Sequence, residues 1–191
     1  MSAINAADSA KALRDAVSLS LRTQPNPLFG IIDAARSQRA LHLLSSSTDQ
    51  HDSLYNGESA KKLALVAPYL VKFSRYSELL QALVQEGWGE SWGIYLTCDR
   101  DFVEVRRHFR QFLTVEVEGQ GNKRLLFRFY DPRVLRAYLP TCTAEELKAF
   151  LAPNFDLFLE GEDARLVRYR AGAGGLEVRD SMSPAGSSSK P

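Results

Sequence analysis

"LLFRFYDPRVL", residues 125–135, decides how this chain is read. Leu125, Phe127 and Phe129 alternate with Leu126, Arg128 and Tyr130, the period of a strand. The first set is expected in a core. The second is expected on a mixed face, where Arg128 must find a partner. Asp131 then ends the strand, and Pro132 fits the first position of a helix, where a missing N–H costs nothing. Asp131 is expected to cap that helix, its carboxylate taking backbone N–H groups beside the positive helix end. Val134, Leu135 and Tyr138 continue the helix, and Pro140 follows it. Asp131 thus has a structural role without any chemistry, and Arg128 and Arg133 most simply serve as ion-pair or stacking partners.

Upstream of this lock, "GQGN" (119–122) predicts a hairpin tip between "LTVEVE" and "KRLLFRFY". Before it, Phe102, Val105, Phe109, Phe112 and Leu113 form the apolar face of a helix that Asp99 or Asp101 can cap. Arg106, Arg107 and Arg110 fall largely away from that face, as a solvated or protein-binding surface. Downstream, Thr143 and Glu146 have capping-box spacing, so "TAEELKAFLAP" (143–153) opens a short helix that Pro153 closes. "FDLFLEGEDARLVRYR" (155–170) predicts two strands around "GED".

The first half alternates strands and helices. "LFGIIDAA" (28–35) is expected as a strand, as is "LALVAPYLVKF" (63–73), with Pro68 forcing a bulge or an edge. "SRYSELLQALVQEGW" (74–88) has Tyr76, Leu79, Leu80, Leu83 and Val84 at helical spacing. "WGIYLT" (92–97) is a short apolar strand of the kind found inside a sheet. Trp88 and Trp92 are expected to pack at the turn before it, with a binding patch as the lesser reading. Residues 1–26 form a polar arm and linker, in which Ala12, Leu13, Ala16, Leu19 and Leu21 could share a helix side. Residues 27–170 form the domain. Residues 171–191, rich in Gly, Ser and Pro, are expected to form a disordered tail. The fold class is α/β: one domain with a mixed β-sheet flanked by helices, a C-terminal β-hairpin and flexible termini.

Composition narrows the function classes. The 191 residues suffice for one core, and a formal net charge of +1 argues against generic DNA or an acidic membrane as partner. Cys98 and Cys142 share no short metal spacing and are expected as reduced thiols. No secretory signal and no apolar run long enough for a bilayer is legible, so a cytoplasmic protein is expected. His42, His51 and His108 form no metal-ligand pattern, so no metal is expected. No serine sits in a nucleophile elbow, and "GWGESWG" (87–93) matches neither a phosphate loop nor a dinucleotide fingerprint, so no cofactor is expected.

The order "RRHFRQFLTVEVEGQGNKRLLFRFYDPRVLRAYL", followed by "EELKAFLAP", resembles the bacterial domain of unknown function 4123 family. Its recurrent features are a histidine-bearing helix, then a strand ending in an Arg-aromatic-Tyr-Asp-Pro-Arg string. His108, Arg128, Tyr130, Asp131, Pro132 and Arg133 match them. "PLFGIIDAA" resembles the family's opening strand, with Asp33 as its aspartate. Phe109 departs from the aliphatic residue expected there. The resemblance spans roughly residues 27 to 160 and implies an adaptor chaperone of the type VI secretion system. Such a protein binds a cognate effector and helps load it onto the VgrG spike protein, with no enzymatic activity.

On this reading the client is held by a sheet edge or face, by the Arg106, Arg107 and Arg110 surface with Trp88 and Trp92, and by the chain ends. Two alternatives compete. One is a small hydrolase-like enzyme using Asp131 with Arg128, which needs a polar pocket and a perturbed carboxylate. The other is an RNA- or DNA-binding module on "RRHFR" (106–110).

Overall fold

The computed structural model describes residues 3–116, 124–152 and 154–181. In chain order the first half contains α1 (Ala3–Arg22), β1 (Leu28–Asp33), α2 (Gln38–Ser45), β2 (Gln50–Ser53), α3 (Gly57–Lys62), β3 (Pro68–Lys72), α4 (Glu78–Gly87) and β4 (Gly93–Thr97). The second half contains α5 (Phe102–Arg110), β5 (Thr114–Glu116), β6 (Arg124–Leu126), α6 (Pro132–Tyr138), α7 (Ala144–Leu151), β7 (Asp156–Glu160), β8 (Leu166–Gly172) and β9 (Gly175–Asp180). Seven strands form one sheet in the order β2-β3-β1-β4-β7-β8-β9, while β5 and β6 form a separate ribbon. The sheet expected to be mixed is antiparallel at every pairing between described strands. Alternation of strands and helices along the chain does not fix strand direction.

Strands β1, β4 and β7 are buried along their whole length, including the charged ends Asp156 and Glu160 of β7. The strand period sorts their side chains between two cores. Phe29, Ile31, Ile94, Leu96, Leu157 and Leu159 face α5, α6 and α7, which contribute Phe102, Val105, Phe109, Leu135, Leu147, Phe150 and Leu151. Leu28, Ile32, Val71, Tyr95 and Phe158 face the opposite layer, where Val17 and Leu21 of α1, Ala40 and Leu44 of α2, and Leu79, Leu80, Leu83 and Val84 of α4 close the second core. Gly93 is required where β4 crosses β1: a Cβ there would lie 2.3 Å from the Ile31 carbonyl oxygen.

Several expectations need correction. The N-terminal arm is part of the domain, because α1 packs on α4 through Val17 and Leu21 and ties down through Arg22 Nη2 to the Ser77 carbonyl at 2.8 Å. Leu19, grouped in sequence with Leu13 and Leu21 on one helix side, is exposed, and Val17 takes the core position. The domain does not stop at residue 170: β8 continues to Gly172, and β9 pairs with it as the sheet's last strand. The remainder of the expected tail, residues 182–191, lies outside the described residues. Pro68 opens β3 rather than bulging it, a position where its missing N–H is tolerated. Tyr76 precedes the Ser77 cap of α4 and is exposed instead of lying on the helix face. The polar connection before β3 holds α2, β2 and α3, whose short lengths and polar residues gave no clear period. Strand β6 ends at Leu126, four residues earlier than expected, and Leu125 is exposed rather than core. The hairpin tip "GQGN" lies outside the described residues.

A groove along the motif helix

The local order of strand, cap and helix is as the sequence predicts from Asp131 onward. Asp131 caps α6: its Oδ1 accepts from the Arg133 N–H at 3.0 Å, and Pro132 takes the first turn. The Arg133 side chain folds back on the same carboxylate, Nε to Oδ1 at 3.0 Å and Nη2 to Oδ2 at 2.6 Å. Burial works to raise the Asp131 carboxyl, but the Arg133 guanidinium and N–H outweigh it and hold the group below the ordinary carboxylate range. Both oxygens are engaged by Arg133, and the shift runs opposite to that of a proton donor at neutral pH. Replacing Asp131 by alanine is expected to lower stability by about 1 kcal/mol through loss of the cap. Thermal melting with no loss would contradict the assignment.

Arg128 finds its partner 95 residues away in sequence: its guanidinium donates to the fully buried carboxylate of Asp33 at the end of β1. Asp33 also accepts from the Ala35 N–H at 3.0 Å. The Arg128 guanidinium lies 6.0 Å from the Tyr130 ring centre, and burial pushes the Tyr130 phenol up. The motif therefore fastens the start of α6 to the end of β1. At the same end of the sheet, the Arg136 guanidinium donates to the Glu160 carbonyl, and the Ser91 N–H donates to the Glu160 carboxylate at 3.3 Å.

Burial pushes the Glu160 carboxyl up to about 7, against the N–H groups of Ser91 and Gly89 and the Arg136 charge. Between about 4.5 and about 7 the folded chain therefore holds a proton that the unfolded chain has released. Stability from this group is complete below about 4.5 and is lost as pH rises through about 7. Glu160→Gln is expected to flatten that decline, seen as melting temperatures of the two proteins that diverge from pH 5 to pH 8. Parallel profiles would contradict the assignment.

His108, on the arginine-rich helix α5, is buried. Its Nε2–H donates to the Phe150 carbonyl at 2.8 Å, tying α5 to α7. Burial lowers its pKa against that hydrogen bond, keeping the imidazole neutral. Phe109, the departure from the family pattern, stacks on Phe129 and Phe155 and meets Phe150 edge-on.

The expected partner surface on α5 is not a free arginine face. Arg106 donates Nε to the Ser53 carbonyl at 2.8 Å and Nη2 to the Tyr55 carbonyl at 3.1 Å, and it pairs with Asp52 at 3.1 Å. It anchors the chain after β2. Arg110 is half-buried, and Arg107 is exposed. These positions do not form a basic stripe of the kind that tracks a phosphate backbone. Trp88 is buried, donating Nε1–H to the Ala164 carbonyl at 2.5 Å, and Trp92 packs partly buried against the same core. Neither gives an open binding patch.

What the motif does form is an open groove along α6, lined by Phe127, Asp131, Arg133, Val134, Ala137 and Tyr138. Phe127 and Tyr138 meet edge-on at 4.7 Å between ring centres, forming an aromatic floor. The β5–β6 ribbon leads into it, since Phe127 follows β6 and donates its N–H to the Leu113 carbonyl at 2.8 Å. Val115, Leu125 and Leu126 on the ribbon and Val134 on α6 are all exposed. Sequence reasoning missed this surface because it placed Leu125 in the core. The available signal was the adjacent pair Leu125–Leu126, which puts apolar side chains on both faces of one short strand.

Among the described residues no group of three or more His, Cys, Asp or Glu side chains is placed to hold a metal ion. Cys98 and Cys142 are free thiols, and no described helix is long and apolar enough to cross a membrane. Comparison with curated proteins and with solved structures yields no match. The family model described as "Domain of unknown function (DUF4123)" matches residues 28–149. That span runs from β1 into α7 and includes both Asp33 and the Arg128–Arg133 motif, while β7, β8 and β9 lie beyond it. With well over half of its 191 residues matched, the chain belongs to the DUF4123 family.

Proposed function

We propose that this chain is a cytoplasmic, non-enzymatic adaptor chaperone that binds a cognate type VI secretion effector and helps load it onto the VgrG spike protein. Family resemblance supplies the system. The observation that carries the physical reading is the groove along α6 and the exposed apolar ribbon beside it. Val115 and Leu125, paired across one face of the ribbon, Leu126 on its other face and Val134 on α6 are apolar side chains left exposed near the groove, the kind that a partner covers. A client segment would seat apolar side chains on Phe127, Val134 and Tyr138, while the exposed rim of Arg133 would meet an acidic residue. Asp131 and Arg128 contribute by holding α6 in place.

A tagged pull-down from the native bacterium at moderate salt, read by mass spectrometry, tests the proposal. Recovery of one large effector, with or without a VgrG spike, is expected. Recovery of neither, or of nucleic acid alone, would overturn it.

A further inference from the structure

The linker "QPNP" (24–27) joins α1 to β1 at the end of β1 opposite Asp33, and a pocket of about 600 Å³ lies against it. Its polar lining includes Arg22 of α1, Asn26 of the linker, and Ser74 and Arg75 after β3. No carboxylate lines it, and none of its residues adjoins an undescribed one. Arg22 is fixed in place but not neutralised. Its Nη2 donates to the Ser77 carbonyl at 2.8 Å and to Gln81 Oε1 at 3.3 Å, both uncharged acceptors, and its Nε is buried without a partner. The last carbonyls of α1 are taken by others: those of Leu19 and Ser20 accept from the side chains of Thr23 and Gln24. Arg75 is exposed and has no ion pair or hydrogen bond from its side chain among the described residues. The neighbouring carboxylate of Asp49 is engaged instead by the Ser74 N–H at 2.9 Å and by the Ser77 hydroxyl. Asn26 and Ser74 likewise keep side-chain polar groups without a partner among the described residues. Elsewhere Arg39, Arg106, Arg128 and Arg133 each meet a carboxylate, so two uncompensated guanidinium groups in one pocket of a nearly neutral chain are an exception.

We propose that this pocket binds a phosphate group, free or carried on a small organic molecule, between Arg22 and Arg75, with Asn26 and Ser74 as further donors. An anion there relieves the repulsion between the two guanidinium groups and receives charge-assisted hydrogen bonds from both. Planar forks arriving from separate elements, together with an amide and a hydroxyl, suit the three oxygens of a phosphate better than the two of a carboxylate. The two prolines stiffen the linker, so holding Asn26 at the site costs little chain entropy. Arg22 is held by α4, which makes its position independent of the ligand. The volume is that of a small-molecule site. The pocket shares no residue with the α6 groove, so it stands or falls separately from client binding.

Isothermal titration calorimetry of the full chain, in a phosphate-free buffer at fixed ionic strength, tests the proposal with two probes, inorganic phosphate and glycerol phosphate. Saturable binding with a Kd below about 1 mM is expected for at least one of them. Tighter binding of the ester assigns the phosphate to a small organic molecule, and equal or weaker binding of the ester assigns it to free phosphate. Arg75→Ala is expected to weaken binding about tenfold, because one charge-assisted pair is lost. Arg75 is exposed, so this variant should melt at the wild-type temperature, whereas Arg22→Ala unties α1 from α4 and should melt earlier. Lys61→Ala, which removes an exposed charge on α3, is expected to leave binding unchanged. No saturable binding of either probe would overturn the proposal. So would binding that Arg75→Ala leaves intact, binding that Lys61→Ala weakens equally, or malonate bound as tightly as phosphate.

Discussion

Replacing Arg128 by methionine is expected to lower stability by about 3 kcal/mol, measured by urea unfolding at neutral pH. The substitution keeps an unbranched side chain over Tyr130 but removes the charge that, among the described residues, is bonded to the Asp33 carboxylate. Asp33 is 0% exposed, and among the described residues the one other hydrogen bond to its carboxylate comes from the Ala35 N–H. A buried carboxylate stripped of its cation is costly, and the half-exposed position of Arg128 places the effect at the lower end of that range. Asp33→Asn in the Arg128→Met background is expected to recover part of the loss, because the uncompensated charge is then gone. A loss below about 1 kcal/mol for Arg128→Met would mean that the pair contributes little beyond its hydrogen bond.

The second large effect is at Phe109. Its ring is fully buried among Phe129 of the motif and Phe150 and Phe155 around the end of α7. Phe109→Ala removes those contacts and leaves a cavity between α5, α7 and the turn that carries the motif. The expected loss is about 4 kcal/mol. Phe109→Leu, closer to the aliphatic residue of the family pattern, should cost about 1 kcal/mol or slightly more, because most of the volume remains. Equal losses for the two variants would show that the aromatic stacking, rather than the filled volume, is what matters there.

Elements with a strong local signal were legible in the sequence. The Asp131–Pro132 start of α6 and the Thr143–Glu146 capping box of α7 are set by bonds within a few residues, and both are as expected. The capping box of α5, from Asp101 to Glu104, was half-legible, since Asp99 competed for the same role. The apolar run at β4 announced a strand inside the sheet, while β1 and β7 were expected as strands without that signal. Partners that meet through folding were not legible. Nothing near Arg128 names Asp33, and nothing near His108 names the Phe150 carbonyl. Arg106 looked solvated because helical period assigns a face but not the neighbour that covers it; here the chain after β2 does so. The groove was hidden for a related reason. Alternation places Leu125 and Leu126 on opposite faces, and only tertiary packing decides that both stay exposed.

The claim that a client is held along α6 is tested most directly by comparing wild type with a Leu126→Glu, Val134→Glu double variant in the same tagged pull-down, with client recovery measured by quantitative mass spectrometry. Both side chains are exposed, so the variant should unfold at the wild-type temperature. The account predicts that wild type recovers one large effector and that the variant loses at least nine-tenths of it, about 1.4 kcal/mol or more of binding. Equal recovery by a variant that melts normally would contradict it and remove the groove as the binding surface.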